Sequence, residues 1–387
     1  MRQFLHGTII LMGMIIGVGL FAVPYVSARA GFGIGLFWIV LLGAVSLLIN
    51  LYFGEVVAGT PGKHRLVGYA DRYLGHSAKK IVTISQTLSF WGAQVAYMLV
   101  GGTFLKILFQ GGNGSSSFFY TILLFGFVAT ITFLGLRIFD RVEFWMTWLL
   151  LAIIAVILVL GVPHIEASNL IGAGTGAGLF FPYGIILFAL SGAAAIPEMW
   201  DMVNKKGTFL FFRKKEKRSL FVMRGSIIVG TIVPVIITLL FALVVVGISG
   251  TATTEEAFEG LRSTLGSNII WLGALFGFFA VVTSYLVVAL YLKETFAYDF
   301  RVKAIPAWIF AVWVPFFLFL AGARNFVQVI DIVGSVFGGF DAIMIILVAL
   351  AFFKRKHVRS RNLKTILGLA MIALLLVGVI QKLAGLL

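Results

Sequence analysis

Gly13-Met14-Ile15-Ile16-Gly17-Val18-Gly19-Leu20-Phe21-Ala22-Val23-Pro24 decides how the rest of the chain is read. The stretch lies inside the first apolar run, yet it is composed to interrupt a helix. Glycine costs roughly 1 kcal/mol against alanine in a helix interior, and Gly13, Gly17 and Gly19 stand close together here. Inside a bilayer the N–H and C=O groups released by unwinding cannot be left to lipid. Non-helical backbone persists there only where protein buries it or a wet cavity adjoins it. Two readings follow: the span is broken around a cavity, or Gly13 and Gly17 form a Gly-x-x-x-Gly face for close helix packing.

Composition sets the class. Hydrophobic residues are 60% of the chain and charged residues 12%, against about 45–50% and 25% in soluble domains. The chain is therefore expected to be an all-α integral membrane protein. Its apolar runs match the roughly 20 residues a helix needs to cross the hydrocarbon core. Hydropathy and turn residues together predict eleven spans, at about 5–28, 32–57, 80–109, 118–136, 143–163, 177–203, 222–249, 268–296, 305–322, 326–352 and 365–385. The N-terminal run, Phe4 to Val26, exceeds the 7–15 apolar residues of a signal peptide and is read as a span. Cysteine is absent, which removes disulfides and thiolate metal sites.

Charge then orients the spans. All of the 30 basic residues except Arg29, Lys106, Arg262, Arg324 and Lys382 fall at the N-terminus or in every second connection. The intervening connections hold few basic residues, being uncharged from Gly111 to Ser117 and acidic at Glu255, Glu256 and Glu259. The positive-inside rule places the N-terminus in the cytoplasm of a cell (plasma or inner) membrane and, with eleven spans, the C-terminus outside. The net charge of +15 is thus a topology signal and a source of contacts to anionic lipid, not a nucleic-acid footprint.

Span six tests for internal symmetry. Phe188-Ala189-Leu190-Ser191-Gly192-Ala193-Ala194-Ala195-Ile196-Pro197-Glu198 sets small residues and a proline in mid-span, a second interruption. Interrupted helices in corresponding places are the mark of inverted-repeat transporters. The expected organisation is a first repeat of spans one to five over 1–163, an inverted second repeat of spans six to ten over 164–352, and an added span eleven over 353–387. Broken spans one and six favour the cavity reading of Gly13 to Gly19 over packing.

No Ser/His/Asp set, His pair or phosphate-binding Gly-Lys loop lies within the spans, so no enzyme machinery and no resident cofactor is expected. What the membrane interior does hold is backbone at two breaks and scattered hydroxyls. Oxygen ligands suit Na⁺, and half-helix N-termini suit a carboxylate. In span eight, Thr283 and Ser284 follow Ala280; such hydroxyls either serve an ion or bond the carbonyl one turn back.

The Gly-x-x-x-Gly-x-Gly-x-x-x-x-Pro pattern at Gly13 to Pro24, the span-six motif at Phe188 to Glu198 and the Thr283-Ser284 pair together resemble the amino acid–polyamine–organocation superfamily. Within it, the chain is most similar to the amino acid/auxin permease and aromatic amino acid permease branch, with the leucine-transporter fold. The resemblance covers essentially the whole chain. It implies a sodium ion held by the carbonyls of Gly13, Ile16 and Ala280 with the side chains of Thr283 and Ser284. Proton-coupled relatives use a span-five lysine instead, and Val142 to Val162 contains none, so sodium is expected and protons are the alternative. The resemblance also makes Phe188 a substrate lid.

The expected function is secondary active symport of a neutral amino acid, its carboxylate on the amides of Ile16, Gly17, Val18 and Gly19, its amine near Phe188, Ser191 and Gly192, with Tyr97 at mid-depth. A channel or a receptor-like binding protein is the competing class, but the repeated polar or charged rings of a pore are missing from the sequence. Glu55, Glu198, Asp331 and Asp341 lie in or near spans, and an intramembrane carboxylate is a functional candidate by default. Arg29 and Asp331 are candidates for an outer gate pair, Glu55 and Glu198 for proton carriers.

Overall fold

The computed structural model describes residues 2–110, 116–134, 139–171, 178–204, 212–357 and 361–385. The connections at 111–115, 135–138 and 205–211, which carry part of the expected charge pattern, lie outside the described residues. Seven helices are long and apolar enough to cross a membrane outright, and an eighth span is the bent pair Gln3–Ile15 and Gly19–Ala30. Three shorter apolar helices, Phe118–Leu134, Leu151–His164 and Ala304–Leu320, bring the number to eleven among the described residues.

Span one is Arg2–Ile15 and Gly19–Ala30, meeting at 51°. Span six is Tyr183–Ala189 and Ile196–Asn204, separated by a short 3-10 turn at Ala193–Ala195. Each opens one set of five spans, so the two breaks hold corresponding places in the inverted repeats. Pro197 does not itself make the second break: it sits in the first turn of the following helix, where its missing N–H is no loss. The small residues ahead of it unwind the chain.

Spans two, three, seven, eight and eleven are Phe32–Gly59, His76–Gln110, Phe212–Ser249, Ser267–Glu294 and Arg361–Ala384. Span seven starts earlier than its apolar run because the basic stretch Arg213 to Arg218 is helical too, lysine and arginine being good helix formers. A short amphipathic helix at Leu66–Leu74, between spans two and three, buries Leu66, Val67, Tyr69 and Ala70. Spans nine and ten contain wide π-helical turns at Ile309–Trp313 and Val333–Gly338.

Two apolar clusters divide the interior. One joins spans three, four, eight and nine around Phe104, Val128, Tyr285 and Val312, and takes in Val18 and Phe21 of span one. The other joins spans two, six, ten and eleven around Trp38, Phe53, Tyr183 and Phe353. Lipid is as apolar as leucine, so packing rather than water exclusion holds such helices together, and small residues let their backbones approach. A Cβ on Gly101 would stand 2.3 Å from Leu124 and 3.0 Å from Val281, and one on Gly277 would stand 2.5 Å from Phe104.

Ion pairs stand near the helix ends. On the N-terminal face Glu55 accepts from Arg224 at 3.0 Å and also from Lys364, and Lys63 meets Asp201 at 3.0 Å. On the far face Arg262 holds Glu259 at 2.6 Å. Span eleven is fastened there as well: Lys382 bonds Asp331 of span ten, and the Tyr183 hydroxyl donates to the Leu375 carbonyl at 3.3 Å.

Candidate substrate cavity between the two breaks

At the first break the Gly17 amide bonds the Ile15 carbonyl at 2.9 Å, two residues back, where an α-helix would use Gly13. The turn releases the Gly13 carbonyl. The chain re-enters a helix at Gly19, with Leu20 N–H on the Gly17 carbonyl at 3.1 Å, so the amides just before it have no intrahelical acceptor. At the second break Ser191 N–H reaches the Phe188 carbonyl at 3.2 Å and Ala195 N–H the Gly192 carbonyl at 3.1 Å. These are tight turns in place of regular α-helical ones.

The breaks interlock. A Cβ on Gly19 would fall 2.5 Å from the Cα of Ala189, and one on Gly192 would fall 2.7 Å from the Ile15 side chain. Gly19, expected to admit ligand to backbone, therefore also serves helix packing. Gly17 is different: its Cβ would point toward the Ser284 hydroxyl of span eight at 3.5 Å.

A cavity of about 130 Å³ opens where the two breaks and the two apolar clusters meet. Gly17, Val18, Gly19, Phe188, Ser191, Gly192 and Tyr97 all line it. Ile16 does not; its side chain is buried in the first cluster. The remaining wall is mostly aliphatic, with an aromatic ring from Phe90 and polar groups from Ser46 and Asn50 of span two, Gln86 and Ser89 of span three, and Asp341 of span ten. Asn50 is fixed by a bond from its amide to Thr231 at 3.1 Å.

Of the residues expected to hold an ion, Thr283 donates to the carbonyls of Phe279 at 3.1 Å and Ala280 at 3.0 Å. Ser284, by contrast, faces Gly17. The donor set is all oxygen, which fits a hard monovalent cation. A hydroxyl that donates to a helix carbonyl keeps its lone pairs for such a cation. No group of three or more His, Cys, Asp or Glu gathers anywhere among the described residues.

The acids fall differently from expectation. Asp331 is bonded by Lys382 of span eleven instead of forming the expected gate with Arg29, whose guanidinium lies 5.3 Å over the Tyr25 ring. The last turn of the added span supplies the cation that span one was expected to supply. Glu55, a proposed proton carrier, is clamped by Arg224 and Lys364. Glu198 is exposed in the first turn of Ile196–Asn204, where the helix dipole favours a negative charge. Asp341 has no specific role on sequence grounds beyond being a carboxylate midway along an apolar span. It lines the cavity and accepts a hydrogen bond from Ser85 of span three at 2.7 Å.

Two adjoining broken helices, one opening each set of five spans, with a cavity between them, are the arrangement found in transporters. The family comparison makes this specific: the model of the tryptophan/tyrosine permease family matches residues 1–384. The chain belongs to that family and is an amino acid transporter. It is similar to tyrosine-specific transport system 1 of Haemophilus influenzae, 25% identical over 307 residues, 76% of this chain and 73% of that protein. Its fold is similar to the inward-facing conformation of Mhp1, with TM-score 0.66 and 13% identity, covering 93% of this chain and 77% of the other. It is similar as well to MhsT in complex with L-phenylalanine, with TM-score 0.62 and 16% identity over 97% and 98% of the two chains.

Proposed function

We propose that the chain carries a neutral aromatic amino acid inward by alternating access, coupled to sodium. The observation that carries this reading is the cavity, lined by the unwound residues of spans one and six together with Phe90, Tyr97 and Phe188. The substrate carboxylate binds the amides of Val18 and Gly19, since those of Ile16 and Gly17, also expected to take part, are held by the carbonyls of Met12 and Ile15; its amine binds the carbonyls near Phe188 and Ser191, and its ring packs beside Phe90, Tyr97 and Phe188. Neither break contains a charged residue, so a charged side chain would go unmatched there. The relative named for tyrosine and the neighbour solved with L-phenylalanine support an aromatic side chain.

Sodium is assigned to the face between spans one and eight, where carbonyls of Gly13, Ile16 and Ala280 join the hydroxyls of Thr283 and Ser284. A bound cation there supplies positive charge near the substrate carboxylate. The N-terminal face is assigned to the cytoplasm. An impermeant maleimide should therefore label a cysteine at exposed Ser116 and spare one at exposed Lys356 in intact cells; the reverse pattern reverses the orientation.

Counterflow of labelled amino acids in proteoliposomes, run in sodium and in choline, tests the whole reading. Aromatic amino acids should exchange, and choline should weaken uptake. Contacts to a charged group are worth roughly 1.5–3 kcal/mol, so each hydroxyl lost in Thr283→Ala with Ser284→Ala should weaken sodium affinity about tenfold or more. Substrate affinity in sodium falls with it by reciprocity, whereas without sodium parent and variant bind alike. A parent indifferent to sodium removes the sodium assignment and leaves protons, the reading that Asp341 favours.

A further inference from the structure

Asp341 is set apart from the other carboxylates buried among the spans. Its Oδ1 accepts from Ser85, and among the described residues no cationic group stands within ion-pair distance of it. The neighbouring charges are engaged elsewhere. On span two, Glu55 is held by Arg224 and Lys364, and the Tyr52 hydroxyl donates to the Lys364 carbonyl. On the helix Leu66–Leu74, Asp71 meets Lys79 of span three and the Tyr73 hydroxyl meets Thr60. That helix also receives Arg355 of span ten, whose guanidinium donates to the carbonyls of Arg72 and Tyr73. Tyr69 packs edge-on against Phe53 and His64. On span three, His76 lies near Asp71, Lys80 and Lys106 stand toward opposite ends of the helix from one another, and Tyr97 packs against Tyr285. On span eleven, Lys382 holds Asp331, and Tyr183 of span six bonds the Leu375 carbonyl.

A carboxylate inside the membrane without a cation is least costly when it carries its proton. One that also lines the substrate cavity meets water whenever that cavity opens. We infer that Asp341, positioned by Ser85, is a proton-binding site whose loading is coupled to the transport cycle. The cavity water gives one proton to the carboxylate while the site faces one side of the membrane and takes it back on the other, so each crossing carries a proton with no other bond made or broken. The inference rests on the reading of the chain as an amino acid carrier and stands apart from the sodium assignment.

The test is made on full-length protein in proteoliposomes with labelled tyrosine, in choline, with a pH-sensitive dye inside. The parent should show several-fold faster uptake when the outside is made acid by about two pH units, and substrate should acidify the lumen. Asp341→Asn should lose both the pH response and the dye signal, whereas Asp341→Glu, which keeps a titratable carboxyl, should retain them. Ser85→Ala keeps the carboxyl and removes its hydrogen bond, so it should keep coupling and move the midpoint of the pH profile by about half a unit or more. It provides the readout if Asp341→Asn does not fold. Intact counterflow with parental pH response in Asp341→Asn overturns the proton site alone, as does an unmoved profile in Ser85→Ala. Absence of counterflow in the parent with every amino acid overturns the carrier reading beneath it.

Discussion

Span ten carries two acids that the membrane treats in opposite ways. Asp331 sits near the far face and is neutralised by Lys382 of the next span, 51 residues further along the chain. Asp341 sits further along the same span, opens on the cavity, and has a serine hydroxyl where Asp331 has an ammonium. A charge that is paired can stay buried permanently and serve as structure. One that is not paired must find its proton or a ligand, and this makes it available for work.

The widest separation between the two should come from removing a partner. Lys382→Met leaves Asp331 buried without its cation, a loss of about 3 kcal/mol on the scale of broken buried pairs. The thermal midpoint in detergent should drop by several degrees, and adding Asp331→Asn should restore most of it. Asp341→Asn, which strands no charge, should cost less than about 1 kcal/mol in the same assay. Equal losses from the two variants would erase the distinction between a structural and a working acid.

The smallest effect is expected in the far-face loop, where a third kind of acid stands. Burial, and then the neighbouring Glu256, raise the Glu255 carboxyl above its ordinary range. A raised carboxylate means the folded protein holds that proton more tightly than the unfolded chain does. Its contribution is thus favourable below the ordinary value and is lost as pH rises through the folded one. Melting curves from pH 5 to 8 should show Glu255→Gln more stable than the parent at the alkaline end by about 1–2 °C, with the difference narrowing as pH falls. A constant difference across that range would assign the effect to packing.

Much of this was legible in the sequence, because its strongest signals are local. Three glycines inside an apolar run, and Ser191-Gly192 inside another, announce unwound backbone, and two such breaks in corresponding places announce the repeat. What could not be read is pairing between distant parts. Arg29 was the natural partner for Asp331 on position alone, and nothing local signals that Lys382 folds back onto span ten. The π-helical turn at Val333–Gly338 hides Asp341 in a similar way. One extra residue in a turn rotates all that follows by about 100°, so a helical wheel drawn through Asp331 points Asp341 at the wrong neighbour. Gly19 also has two roles that one letter cannot separate, since it lines the cavity and packs against Ala189.

That contact leaves no slack between the second half of span one and the first half of span six. A single methyl at Gly19 would already reach the Ala189 main chain, so the two halves could not stay at this separation with any larger residue there. Gly192 against Ile15 repeats the same close fit in the cavity wall itself, so the two breaks can keep their shape only while both positions remain glycine.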